Sequence, residues 1–185
     1  LSVVYPVRCA VCDRVMPVGQ RGICRECRAE IEYPEGALCC RCGKPVEEEA
    51  EYCQDCSGKE SSFLGGRAGL LYNGAMRGSV SRFKYQGRAE YAAFYAETIW
   101  NREQEWIRGL EADLLIPVPV HPMRYRRRGY NQAALIARSL SELTGIPTAE
   151  EFLLRIKNTL PQKELSDRER CLNLQQAFAV SDRGQ

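Results

Sequence analysis

Apolar residues recur at helical spacing most clearly between Ala89 and Arg108, where Tyr91, Phe94, Tyr95, Thr98, Ile99 and Trp106 fall mostly on one stripe and Gly109 ends the pattern. An aromatic stripe at this spacing is a core face, not a base-stacking platform. Upstream, Arg67 to Tyr72 reads as a strand, and Asn73 caps a shorter helix over Ala75 to Tyr85 with Met76, Val80 and Phe83 inward. Downstream, Leu114, Leu115 and Ile116 form a short apolar run broken by Pro117 and Pro119, the pattern of a buried strand. A loop holding Arg124, Arg126, Arg127 and Arg128 leads to Gly129. Asn131 then caps a helix carrying Ala133, Ile136, Ala137, Leu140 and Leu143, which Gly145 and Pro147 stop. Phe152 to Ile156 resembles another strand and Lys157 to Glu164 a polar loop. Ser166 to Glu169 has capping-box spacing and opens a helix through Gln176, and Phe178 and Val180 begin a further strand. Strands alternating with helices predict an α/β fold.

The first 57 residues break this picture. They hold few large apolar side chains but nine of the chain's ten cysteines, and Ser57 to Gly66 is a linker by composition. Eight of the cysteines form four C-x-x-C pairs: Cys9/Cys12, Cys24/Cys27, Cys39/Cys42 and Cys53/Cys56. Two thiolates three positions apart bind one metal from a tight turn, and two such turns complete the tetrahedral sulfur shell that structural zinc takes. Four pairs therefore predict two Zn2+ ions. The nearly equal gaps allow sequential pairing or an interleaved cross-brace. Sequential pairing is favoured, because each unit then has its own turn residues (Gly19 and Gly22; Gly43 and Pro45). Cys40 and Cys171 are read as small buried hydrophobes. So short a segment cannot hold itself together by apolar burial, so the metal supplies the missing free energy. The role is structural, since no adjacent general base suggests metal catalysis.

At 185 residues the chain fits one ordinary domain plus a small one. Its net charge of +2 does not by itself announce a nucleic-acid binder. Residues 1–60 hold 8 basic and 11 acidic side chains, whereas 113–185 hold 11 and 8. No apolar run reaches the length of a membrane span and no secretory pattern opens the chain, so a cytoplasmic location is expected. From Leu114 to Ser141 there are five arginines and no carboxylate. The unit is a strand, a glycine-containing turn and a helix start, where amide groups, the helix dipole and guanidinium forks favour an anion such as phosphate. Lys84, in FKYQGR, is placed to reach toward the same anion. His121, the only histidine, is read as structural.

The four C-x-x-C pairs, SRFKYQG at 81–87, IPVPVHPMRYRRRGYNQA at 116–133, and the spaced Arg155, Gln162, Leu165, Arg168, Asn173, Ala177 and Phe178 together resemble the ComF family. These are competence-associated, phosphoribosyltransferase-like proteins with an N-terminal double zinc ribbon. The resemblance implies a double zinc ribbon over 1–58. Over 67–185 it implies a type I phosphoribosyltransferase-like parallel α/β sheet, C-terminally incomplete in these 185 residues. It implies phosphoribosyl pyrophosphate as ligand, with Mg2+ as its companion. Arg127, Arg128, Gly129, Tyr130 and Asn131 match the pyrophosphate-binding loop. The segment Arg155 to Asn173 matches the loop that closes over the ligand, with Arg168 as a phosphate clamp. The paired acids and Thr-Thr-Gly stretch that such a fold uses for the ribose and 5′-phosphate do not occur in this sequence, and no catalytic residue is identifiable. The family association also implies DNA uptake. Single-stranded DNA and the proteins of the uptake machinery are then further partners, and a scaffold role without turnover is the alternative. The net acidity of the ribbon half argues against it as the main DNA surface.

Overall fold

The computed structural model describes residues 6–60, 62–159 and 165–182. Its helices are α1 (Arg25–Arg28), α2 (Gly74–Tyr85), α3 (Tyr91–Gly109), α4 (Pro122–Arg128), α5 (Gln132–Thr144) and α6 (Asp167–Leu174). Its strands are β1 (Leu153–Arg155) and β2 (Phe178–Val180), paired antiparallel with Leu154 opposite Ala179.

The capping chemistry forms as the sequence predicts. Asn73 Oδ1 accepts from the Met76 amide at 3.0 Å, and Asn131 Oδ1 accepts from the Ala133 amide at 3.1 Å. Gly145 closes α5 in the left-handed region at φ 78. At Ser166 the backbone amide donates to Glu169 Oε2 at 2.8 Å, the return half of a capping box. The helix that follows stops at Leu174, two residues short of the expected Gln176, which sits at a positive φ of 55.

The aromatic stripe of α3 is core. Tyr91, Phe94 and Tyr95 are buried with Met76 and Phe83 of α2, and the ring centroids of Phe83 and Tyr95 lie 5.3 Å apart. Helix α3 packs on α5. The same core takes in Cys9, Ala10, Val11, Met16, Cys27 and Ile31, so the first cysteine-rich unit shares it with the helices. Polar contacts reinforce this junction. Ser79 Oγ donates to the Ala10 carbonyl, and Arg82 donates to the Val11 carbonyl. Asp13 receives Arg88 through Nε at 2.7 Å and Nη2 at 2.8 Å, and the Tyr91 hydroxyl at 2.6 Å.

Burial works against the Asp13 carboxylate, but these donors from Arg88 and Tyr91 hold it below the usual range. A depressed carboxylate contributes stability above its unfolded value, near 3.9, and loses it as the pH falls through the folded value. At neutral pH the full contribution is therefore present. Asp13→Asn keeps a residue that tolerates the local φ of 65 and removes only the charge. It is expected to lower unfolding stability in urea at pH 7 by about 1.5–3 kcal/mol, the range for hydrogen bonds to charged groups. An unchanged midpoint would show that the contact contributes nothing.

The parallel sheet is not seen among the described residues, whose one sheet is the antiparallel β1–β2 pair; three other expectations are corrected. Leu115 makes one parallel bridge, to Thr148, and Leu114, Ile116 and Val118 stay 42%, 42% and 58% exposed. Pro117 and Pro119 remove the amide donors that a longer ladder would use. Arg67 to Tyr72 is not a strand either. Its Leu71 amide donates to the Glu32 carbonyl at 2.9 Å, and a Cβ on Gly69 would lie 3.1 Å from Ile99 Cγ1, so the segment is engaged by the inter-ribbon connection and by α3. The arginine loop is instead helix α4. Pro122 starts it, His121 Nδ1 accepts from the Met123 amide at 3.3 Å, and Gly129 ends it at φ 84. Cys40 is exposed, not buried, and the Cys171 side chain lies outside the described residues. Among the described residues no helix is long and apolar enough to cross a membrane.

Candidate functional site

The cysteines gather in two groups of four, Cys9, Cys12, Cys24 and Cys27, then Cys39, Cys42, Cys53 and Cys56, with the sulfurs of each within 4.8 Å of one another. The pairing is thus sequential. Each group is built the same way. The Cys9 amide donates to Arg14 O at 2.9 Å and the Asp13 amide to Cys9 O at 3.0 Å; Cys39 donates to Lys44 O at 2.8 Å and Gly43 to Cys39 O at 2.9 Å. Single antiparallel bridges, Arg8 to Val15 and Leu38 to Pro45, close the two ribbons. Even the ion pairs repeat, Arg14 with Glu26 at 3.3 Å and Lys44 with Asp55 at 3.1 Å.

These quartets fit zinc. A tetrahedron with Zn–S near 2.3 Å places sulfurs about 3.8 Å apart, and Cys12–Cys24 and Cys42–Cys53 stand at 3.8 and 3.7 Å. The Val11 and Cys24 amides point at Cys9 Sγ, at 3.5 and 3.3 Å, as donors that stabilise a thiolate. Burial opposes ionisation of Cys12, yet the Arg14 guanidinium brings its thiol down to about 6. Backbone amides bring Cys39 down to about 6, whereas burial pushes Cys27 up and Cys56 up to about 12. Four thiolates are complete only with a cation present, so metal affinity rises with pH.

The second cluster is cationic. The Arg128 guanidinium lies over the Tyr85 ring at 5.1 Å and donates to Gln132 Oε1 at 3.2 Å. Arg124 donates to the Thr159 carbonyl, and Arg155 donates to the Thr159 hydroxyl while stacking on Phe178 at 5.4 Å. Burial lowers the Arg155 pKa, and the like charges of Arg124 and Arg128 lower it further. Arg155 Nε is buried with no hydrogen-bond partner among the described residues. The three arginines therefore converge on one region. The other predicted ligand residues are placed as follows. Arg127 is exposed at the end of α4, Gly129 is the left-handed residue between α4 and α5, and Lys84 is half-buried on α2. Tyr130 donates to the Phe83 carbonyl at 2.7 Å, and Asn131 caps α5 and donates to Val118 O at 3.1 Å; both thus anchor the turn. Arg168 lies on α6, and its side chain and Gln162 lie outside the described residues.

The sequence reading missed the role of Asp13 and, although it named Arg155 as the start of the closing loop, did not count it among the ligand residues. Arg155 interrupts the apolar run Leu153 to Ile156, a charge inside a strand pattern that signals a reason to be there. Asp13 occupies the turn position that Gly43 holds in the second ribbon, at φ 65 against 71. A non-glycine at such a position marks a side chain with a job.

Comparison with known proteins agrees with this architecture. A double zinc ribbon family model matches residues 1–57. Competence protein F of Haemophilus influenzae is 29% identical over 181 residues, covering 96% of this chain and 78% of the relative. DNA utilization protein YhgH of Escherichia coli K12 is 27% identical, covering 95% and 78%. Competence protein ComFC of Bacillus subtilis is 28% identical over 148 residues, covering 77% and 59%. No solved structure matches the chain. The paired-cysteine ribbons, together with competence and DNA-utilization proteins aligned along most of the chain, support its placement in the ComF family.

Proposed function

We propose that this protein binds phosphoribosyl pyrophosphate through a phosphoribosyltransferase-like unit within residues 67–185 and serves DNA uptake, a reading supported by the competence and DNA-utilization names of its relatives. The observation that carries the sugar-phosphate reading is the meeting of Arg124 and Arg155 at Thr159, with Arg128 near enough for its charge to act on Arg155. Three like charges held together oppose folding, and a diphosphate reverses that penalty by neutralising them. The buried, unpartnered Arg155 Nε is a donor awaiting an acceptor.

In this reading Arg124, Arg128 and Arg155 grip the diphosphate oxygens, and Gly129 brings backbone close without a Cβ. If pyrophosphate departs from the ribose, the same guanidinium groups stabilise the charge developing on the leaving oxygens. The metal-type clusters among the described residues are the two cysteine quartets, so a magnesium ion would arrive on the ligand's own diphosphate. Nine free cysteines without a disulfide, eight of them disposed for metal, suit a reducing compartment such as the cytoplasm.

Calorimetric titration of the full chain with phosphoribosyl pyrophosphate and with pyrophosphate, magnesium present, tests the proposal. Both are expected to bind, and Arg128→Ala is expected to weaken both by about tenfold without changing the melting temperature. Silence of the parent protein with both ligands would reject the reading.

A further inference from the structure

The two ribbons are repeats of one design, and the places where they differ show what the design does not require. Positions in the second half of each ribbon correspond with an offset of 29, as Cys24 to Cys53 and Cys27 to Cys56 show. The shared parts serve the fold: the amide contacts around the quartet and the Arg14–Glu26 and Lys44–Asp55 pairs. Three arginines of the first ribbon have no counterpart. Arg21, Arg25 and Arg28 correspond to Ala50, Gln54 and Ser57. They make no hydrogen bond or ion pair among the described residues, and together with Gln20 and Ile23 they line an open groove of about 450 Å³.

Charge is divided in the same way. Residues 6–29 carry five arginines against Asp13 and Glu26, whereas residues 30–59 carry three basic and eight acidic side chains. The net acidity of the ribbon half belongs to the second ribbon, and the first is basic. Since the same fold forms in the second ribbon without these arginines, their role lies outside the fold.

We propose that this groove is a docking track for the phosphodiester backbone of a nucleic acid. An acidic protein partner would need an apolar anchor at the centre of its contact, and Ile23 is the one aliphatic side chain lining the groove. A small free anion would gain little from arginines this exposed, because solvent screens each one. A polyanion is held differently, since every phosphate neutralised releases condensed counterions and the gains accumulate. No aromatic ring lines the groove, so bases are not stacked there and binding is indifferent to sequence. The groove uses none of the arginines of the diphosphate site.

The test exchanges the three residues for what the second ribbon already accommodates, Arg21→Ala, Arg25→Gln and Arg28→Ser, in the full zinc-loaded chain. Fluorescence anisotropy with labelled single-stranded and duplex oligonucleotides, titrated with salt, reads the affinity. The parent is expected to bind one or both forms with a steep salt dependence. In the triple variant the slope of log K against log salt should fall by about 2 for the single strand, at about 0.7 per phosphate contact. Zinc content must stay at two, and the triple variant must bind pyrophosphate as the parent does, which separates failure here from failure of the sugar-phosphate reading. Equal affinity and slope in parent and variant would overturn the proposal. So would tighter binding of polyglutamate than of either oligonucleotide, which would assign the groove to an acidic protein.

Discussion

Cys27→Ser is expected to lower the zinc content from two to one and to dissolve the tertiary structure of the helical platform along with the first ribbon. Cys27 is 1% exposed and belongs to the same core as Met76, Phe83 and Tyr91, as do Cys9, Ala10 and Val11. A structural zinc in a zinc-finger peptide is worth about 10–16 kcal/mol at neutral pH, and a whole domain has about 5–15 kcal/mol of net stability. Loss of even part of the zinc term thus exceeds what α2 and α3 can supply alone. The second ribbon is attached otherwise. No residue of its quartet enters that core among the described residues, and its hold is close backbone packing: a Cβ on Gly43 would lie 2.8 Å from Arg67 Cα. Cys56→Ser should therefore also lose one zinc while keeping the near-ultraviolet circular dichroism and most of the thermal stability of the parent. Metal analysis with thermal unfolding followed through the Tyr and Trp signals makes the comparison. Equal damage from the two substitutions would refute the asymmetry, as would a Cys27→Ser protein melting with the parent.

That asymmetry shows which parts of the molecule were legible in the sequence. Ligand spacing is a local property, so four C-x-x-C pairs announced two quartets, and Asn73, Asn131 and Gly145 announced their helix ends for the same reason. The sharing of one core between the first ribbon and α3 depends on contacts such as Arg88 with Asp13, 75 positions apart, and no periodicity reports those. The arginine run illustrates a subtler failure. Composition gave its charge correctly but not its shape. Pro122 after a residue able to cap, with glycine seven positions on, is a helix signal, and the run of cations masked it. The parallel sheet is not seen among the described residues for a physical reason too. Apolar runs specify a strand only when partners are present, and Leu114 to Val118 finds one bridge. For the anion site, Arg128 was visible from its own loop, whereas Arg124 and Arg155 meet at Thr159 only through the fold.

Arg155 offers the sharpest separation of function from stability. Its guanidinium is partly desolvated, one nitrogen has no acceptor among the described residues, and Arg124 and Arg128 repel it. A cation whose pKa is lowered on folding opposes folding at every pH where the unfolded chain holds its proton, which for arginine includes all of the neutral range. Arg155→Met keeps an aliphatic stem to pack on Phe178 and removes both the charge and the orphaned donor. Two favourable contacts are lost, the hydrogen bond to the Thr159 hydroxyl, worth about 1 kcal/mol, and the cation–π part of the stacking on Phe178, worth about 0.5–1 kcal/mol. The repulsion and the buried donor offset them, so the variant should melt at the parent temperature or above. Its affinity for pyrophosphate should nevertheless fall by about ten- to a hundredfold, the equivalent of about 1.5–3 kcal/mol for a charge-assisted pair. In a double-mutant cycle with Arg128→Ala the losses should fall short of additive, because both side chains act on one bound anion. A melting temperature several degrees below the parent, with pyrophosphate affinity intact, would make Arg155 a structural residue and leave the diphosphate without its central donor.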